Sequence, residues 1–147
     1  MSDLRDLYQQ VILDHNRKPR NFRKIADANR TAEGYNPLCG DRIIVEAMVE
    51  DGIVKDVAFQ GAGCAISKAA ASMMTANIIG KPEREVNELF HRVHAMMTGA
   101  NGVAADVGKL AVFAGVREFP SRIKCATLAW HTLQAALHGA AEPVSTE

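Results

Sequence analysis

Residues 42–59, "RIIVEAMVEDGIVKDVAF", constrain the fold more than any other stretch of the chain. Ile43, Val45, Ala47 and Val49 alternate with Arg42, Glu46 and Glu50, the period-2 pattern of a strand with one buried face. Glu50, Asp51 and Gly52 form a turn signal, and Ile53, Val54, Val57 and Phe59 continue as a second strand. The stretch predicts an antiparallel hairpin.

The flanking segments predict helices. Leu4, Leu7, Tyr8, Val11 and Ile12 recur at helical spacing after Ser2, a capping residue, until Pro19 in "NRKPRNF" ends the pattern. "RKPR" is the one dense basic cluster, readable as a solvated helix end or as a docking surface for an acidic partner. "NRTAEGYNPLCGD" reads as a loop. After the hairpin, Gly61 and Gly63 permit a tight turn into a small-residue helix that Gly80 ends. "KPEREVNELFHRVHAMM" is amphipathic, with Pro82 in its first turn and Val86, Leu89, Phe90, Val93 and Met97 on one face. His91 and His94 on that helix lack companion ligands and read as solvent-facing. A glycine-rich stretch and the short apolar "LAVFAGVREFP" lead to a last long helix, "SRIKCATLAWHTLQAALHG". There Ile123, Leu128 or Ala129, Leu133 and Leu137 face the core with Trp130, and Gly139 marks the end. Residues 1–139 thus read as a single α+β domain, a small antiparallel sheet packed against several helices, and residues 140–147 as a disordered tail.

Composition narrows what such a domain does. Its 17 basic and 17 acidic residues cancel, which argues against a nucleic-acid surface. No stretch approaches the roughly 18–20 apolar residues of a membrane span, and the charged, amphipathic N-terminus is no secretory signal. Three cysteines, an odd number, do not form a disulfide framework. They fit a reducing, cytoplasmic setting in which cysteines are free, catalytic or metal-bound.

Those cysteines share a feature with one aspartate. Cys39 in "YNPLCGDRI" sits between a Pro-containing turn and the hairpin, with Asp41 two positions on. Cys64 falls at or near the start of the small-residue helix, where the positive helix end favours a thiolate. Cys125 falls in the opening turn or so of the last helix. All four stand at element boundaries. Three thiolates and a carboxylate make the ligand number of a closed tetrahedral zinc site, and they also suit iron in an iron–sulfur cluster. No C-x₂-C knuckle is present, so the spacing alone leaves two readings open: four ligands of one metal, or three unrelated buried cysteines beside a capping aspartate.

"NPLCGDRI", "GAGCAISKAAASMM" and "RIKCATLAW" resemble, in order, the three cysteine motifs of the IscU/NifU-like iron–sulfur assembly family. The resemblance runs from "LYQQVILDHNRKPRNF" to "ATLAWHTLQAAL" and implies the SufE/NifU-like (IscU-like) α+β fold. It carries the family's metal ligands onto Cys39, Asp41, Cys64 and Cys125. Scaffold members typically have histidine before the third cysteine, where this chain has Lys124, and a Leu-Pro-Pro-Val-Lys segment that "REFPSRIKC" lacks. The longer stretch between the second and third cysteines, Arg122, and "CATLAW" resemble the SufU-type branch; Ala70 replaces a serine common there.

What that branch implies is a zinc-dependent sulfurtransferase that accepts persulfide sulfur from a SufS-like cysteine desulfurase and activates it, with downstream iron–sulfur scaffold proteins as further partners. Cys39 is the implied acceptor, its loop position being more accessible than two helix-start thiols. The alternative implied by the wider family is a scaffold that assembles and transfers a labile [2Fe–2S] cluster on the same four residues.

Overall fold

A computed structural model of the chain describes residues 2–37, 40–98, 107–118, 120–139 and 143–145. Its elements in order are α1 (Ser2–Arg17), β1 (Arg30–Asn36), β2 (Asp41–Glu50), β3 (Ile53–Ala62), α2 (Ala65–Ile78), α3 (Glu83–Thr98), a 3₁₀ segment (Gly108–Glu118), α4 (Pro120–Leu137) and β4 (Val144–Ser145). The fold is α+β. The strands lie in the order β3-β2-β1-β4, the first three antiparallel and β4 parallel to β1.

The expected hairpin is β2–β3. Asp51 and Gly52 both take positive φ, 53° and 75°, between the paired residues Glu50 and Ile53. This is the geometry that an Asp-Gly pair supplies to a two-residue turn. Along β2, Asp41, Ile43, Val45, Ala47 and Val49 all point into the buried face. Against that face pack α4, which lies across β1 and β2, and α2, which lies against β3, α1 and α4. Leu128, Leu133, Phe59, Met73 and Met74 are buried in the core of these layers, and Trp130 is buried with its ring 6.5 Å from that of Phe90 on α3. Each such side chain contributes about 1.5–3 kcal/mol by leaving water.

The structure adds to the sequence reading at three points. The "NRTAEGYN" loop contains a strand, β1, paired with β2 from Arg30↔Ala47 to Asn36↔Asp41. Its inward residues are Ala32, Gly34 and Asn36, too small or polar to show apolar alternation. They are small because α4 comes close: a Cβ on Gly34 would collide with Thr132 Oγ1 and crowd Leu128. Within 140–147, Val144 and Ser145 form β4, pairing with Gly34 and Tyr35 respectively. It thereby satisfies part of the outer edge of β1, whose backbone groups would otherwise lack partners. Finally, α4 starts at Pro120, one residue before the expected Ser121, which makes Cys125 its sixth residue. Pro fits a first helical position because its missing N–H has no intrahelical role there.

Candidate metal centre

Asp41, Cys64 and Cys125 converge at one end of the buried face. One ligand atom from each lies within 4.8 Å of the others. Asp41 is the first residue of β2 and projects inward by the same alternation that buries Ile43 and Val45. Cys64 is the N-cap of α2, with extended backbone (φ −71°, ψ 168°), and its Sγ accepts from the Ser67 N–H at 3.4 Å. A sulfur here takes the place that a Ser or Asp oxygen usually fills at a helix start. Cys125 is carried by α4 to the inner side of β1 and is 2% exposed.

The carboxylate of Asp41 divides its work. Oδ1 accepts the Cys64 N–H at 2.8 Å, and Oδ2 lies 3.9 Å from Cys64 Sγ. Gly63 makes room for it: a Cβ there would stand 2.5 Å from Oδ1. Gly61, expected only to ease the turn, is a paired strand residue opposite Ile43 with φ 142°. A side chain at 61 would run into the Arg42 carbonyl. The "GAG" run is thus explained by two close backbone approaches to the start of β2.

Sequence reasoning missed Asn36. This residue is fully buried, and its Nδ2 donates to Asp41 Oδ2 and to Cys125 Sγ, both at 3.3 Å. The signal was the alternation of Ala32, Gly34 and Asn36 with Thr31, Glu33 and Tyr35, hidden because the inward set is not apolar. Cys39, the remaining sequence candidate, lies outside the described residues, between Pro37 and Gly40. His91 is exposed and His94 half-buried, its ring edge-on to His131 of α4 at 5.4 Å. His94 is therefore packed, not simply solvent-facing. Arg122 is exposed and Lys124 half-buried.

The donor set suits a soft or borderline cation. Two thiolates and a carboxylate within 4.8 Å would repel by about 3 kcal/mol per pair at an effective dielectric of 20. Protons or a bound cation relieve that repulsion. N–H groups already face each sulfur and both carboxylate oxygens. Tetrahedral zinc, with bonds of about 2.0–2.3 Å, spaces its ligands by roughly 3.3–3.8 Å. The group reaches that spacing by a contraction of no more than about 1.5 Å.

An α+β fold with such a cysteine and aspartate cluster defines a class, and comparison with known proteins agrees. The NifU-like N terminal domain family matches residues 7–140. The chain belongs to this IscU/NifU family, whose named members include iron–sulfur cluster assembly scaffold proteins and a zinc-dependent sulfurtransferase. It is 40% identical over 134 residues to the zinc-dependent sulfurtransferase SufU of Bacillus subtilis, covering 90% of each chain. It is 37% identical over 137 residues to the iron–sulfur cluster assembly scaffold protein IscU of Thermotoga maritima, covering 93% of this chain and 96% of that one. Among solved structures, a proposed SUF-system scaffold from Fervidobacterium islandicum superposes with a TM-score of 0.83 at 34% identity, over 87% of this chain and 94% of that one. A NifU-like N-terminal domain from Brucella abortus gives 0.81 at 25% identity, over 92% and 94%.

Proposed function

We propose that this chain is a zinc-dependent sulfurtransferase of iron–sulfur cluster biogenesis, working in the cytoplasm with a SufS-like cysteine desulfurase. The observation that carries the reading is the convergence of Asp41, Cys64 and Cys125 from a strand, a helix cap and a helix interior. Cys39, two positions before Asp41 in the sequence, is the fourth ligand of the set. Among the described residues no helix is long and apolar enough to cross a membrane.

When bound, zinc supplies a fixed positive centre that keeps nearby thiols deprotonated. The chain's own residues do the rest. Asp41, Cys64 and Cys125 hold the centre, each buried or half-buried and hydrogen-bonded. Cys39, on the connection between β1 and β2, is the nucleophile. Its thiolate attacks the outer sulfur of the desulfurase persulfide. One S–S bond forms to Cys39 as the other breaks, and the desulfurase cysteine leaves as a thiolate, so no outside oxidant or reductant is needed. The sulfur then passes to downstream iron–sulfur scaffold proteins. Lys124 in the place of the scaffold histidine, the longer segment before Cys125, and the similarity to SufU support this branch.

A second reading is favoured by relatives named as IscU scaffolds, including one from Streptococcus pyogenes at 38% identity. In it, the same four residues assemble a [2Fe–2S] cluster. Metal and acid-labile sulfide content of anaerobically purified protein separates the two. About one zinc per chain without iron or sulfide is expected, together with desulfurase activation that Cys39→Ala abolishes. Iron and sulfide in equal amounts would overturn the sulfurtransferase in favour of the scaffold.

A further inference from the structure

We infer that Asn36 is a positioning residue of this site, fixing Asp41 against Cys125 and setting the donor strength of the Cys125 sulfur. The inference rests on the metal reading above. Asn36 ends β1 directly opposite Asp41 in the strand register, so its side chain enters the site from the sheet while Cys125 enters from α4. Its Nδ2 bridges the two, 3.3 Å from Asp41 Oδ2 and 3.3 Å from Cys125 Sγ.

Chemistry fixes which way the amide points. Once Asp41 and Cys125 are deprotonated as metal ligands, turning it over would place an oxygen against a carboxylate and a thiolate, three acceptors with no proton between them. In this orientation Oδ1 is buried and has no hydrogen-bond partner among the described residues. That is an unfavourable arrangement, which an apolar side chain of the same shape would avoid. An asparagine that merely filled the space behind a turn would gain nothing by it. An amide whose N–H₂ group orients two ligands gains their alignment. Hydrogen-bonded partners of this kind orient metal ligands and tune them.

The N–H···S bond has a directional consequence. It stabilises the sulfur lone pairs, so that its loss makes Cys125 a stronger electron donor and moves thiolate-to-metal charge transfer to longer wavelength. Asn36→Leu keeps the branched side-chain skeleton, at a larger volume, and removes the donor. Zinc affinity measured against a chromophoric chelator is expected to fall about 10–100-fold. The thiolate-to-cobalt band of the Co²⁺-loaded protein is expected to shift to the red. Affinity within about threefold of the parent, with an unmoved band, would overturn the inference.

Should Asn36→Leu fail to fold, the parent protein decides by NMR. The Asn36 side-chain N–H₂ resonances are expected to shift strongly as zinc is titrated in, and unmoved resonances would overturn the role. A parent protein that binds no zinc in the same titration brings down the metal reading itself. That outcome differs from a parent that binds and a variant that binds equally well.

Discussion

The Asp41 carboxylate reaches Cys64 twice, accepting its backbone N–H at 2.8 Å through Oδ1 and facing its sulfur at 3.9 Å through Oδ2. One side chain thus fixes the backbone that enters α2 and also stands among the candidate ligands. The two duties separate by mutation. Asp41→Asn keeps an oxygen for the Cys64 amide and removes the charge. Its metal-free stability should stay within about 1 kcal/mol of the parent while zinc affinity falls at least about tenfold. Asp41→Ala also orphans the amide and should lose a further 1–3 kcal/mol or about that. Urea unfolding of the metal-free proteins, paired with chelator competition, reads both.

Gly63→Ala tests the same carboxylate from the other side. The new Cβ stands 2.5 Å from Oδ1, so the carboxylate must give way. Because the displaced Oδ1 is also the acceptor of the Cys64 N–H, the metal-free variant should lose up to about 1–3 kcal/mol. Zinc affinity should drop about tenfold or more. Equal affinity in the variant would show that the position of Asp41 is not held by this contact.

Gly34→Ala acts at a distance from the ligands. A methyl group at 34 meets Thr132 Oγ1 and Leu128 and pushes α4 off β1. Overpacking of this kind costs about 1–3 kcal/mol, visible as a lower urea midpoint with unchanged slope. Since α4 also carries Cys125, zinc affinity should weaken in the same variant, whereas an equally destabilising change in α1 should leave it alone.

Stability should depend on pH through His131. Burial, and next the charge of His94 on α3, hold its pKa below the ordinary 6.5. The folded protein therefore takes up this proton less readily than the unfolded chain. The stabilisation is complete above the unfolded pKa of about 6.5 and is lost as pH falls toward the folded value. Metal-free protein should unfold at lower urea at about pH 5.5 than at about pH 7.5, and His131→Phe should flatten that difference. A remainder is expected from His15, whose pKa burial and the Arg20 charge also lower.

The sequence displayed those parts of the fold whose buried residues are large. Ile43, Val45, Val49, Val57 and Phe59 announce β2 and β3, and Val86, Leu89, Phe90, Val93 and Met97 announce one face of α3. It concealed the parts where two backbones approach closely. At β1 the nearness of α4 demands Ala32 and Gly34, and the site demands Asn36, so the inward face reads as loop. β4 is two residues long, too short for any period to register. The start of α4 was displaced because Pro120 reads equally well as an end and as a first helical residue. For the candidate centre, the residue types were legible in the motifs. The contact of Asn36 with Cys125 across 89 positions is a product of packing alone.

Those separations have a mechanical meaning. Asp41 and Cys64 are 23 positions apart, and Cys125 lies on the far side of α3 and the 3₁₀ segment. An ion gripping all three would act as a removable cross-link, closing two loops in the unfolded chain much as disulfides do, by a chain-entropy contribution of about 3–4 kcal/mol for each loop. Unlike a disulfide, it persists in the presence of reductant. Loading would then be written into the body of the protein, as slower amide exchange along α4 and greater resistance to proteolysis between α3 and α4.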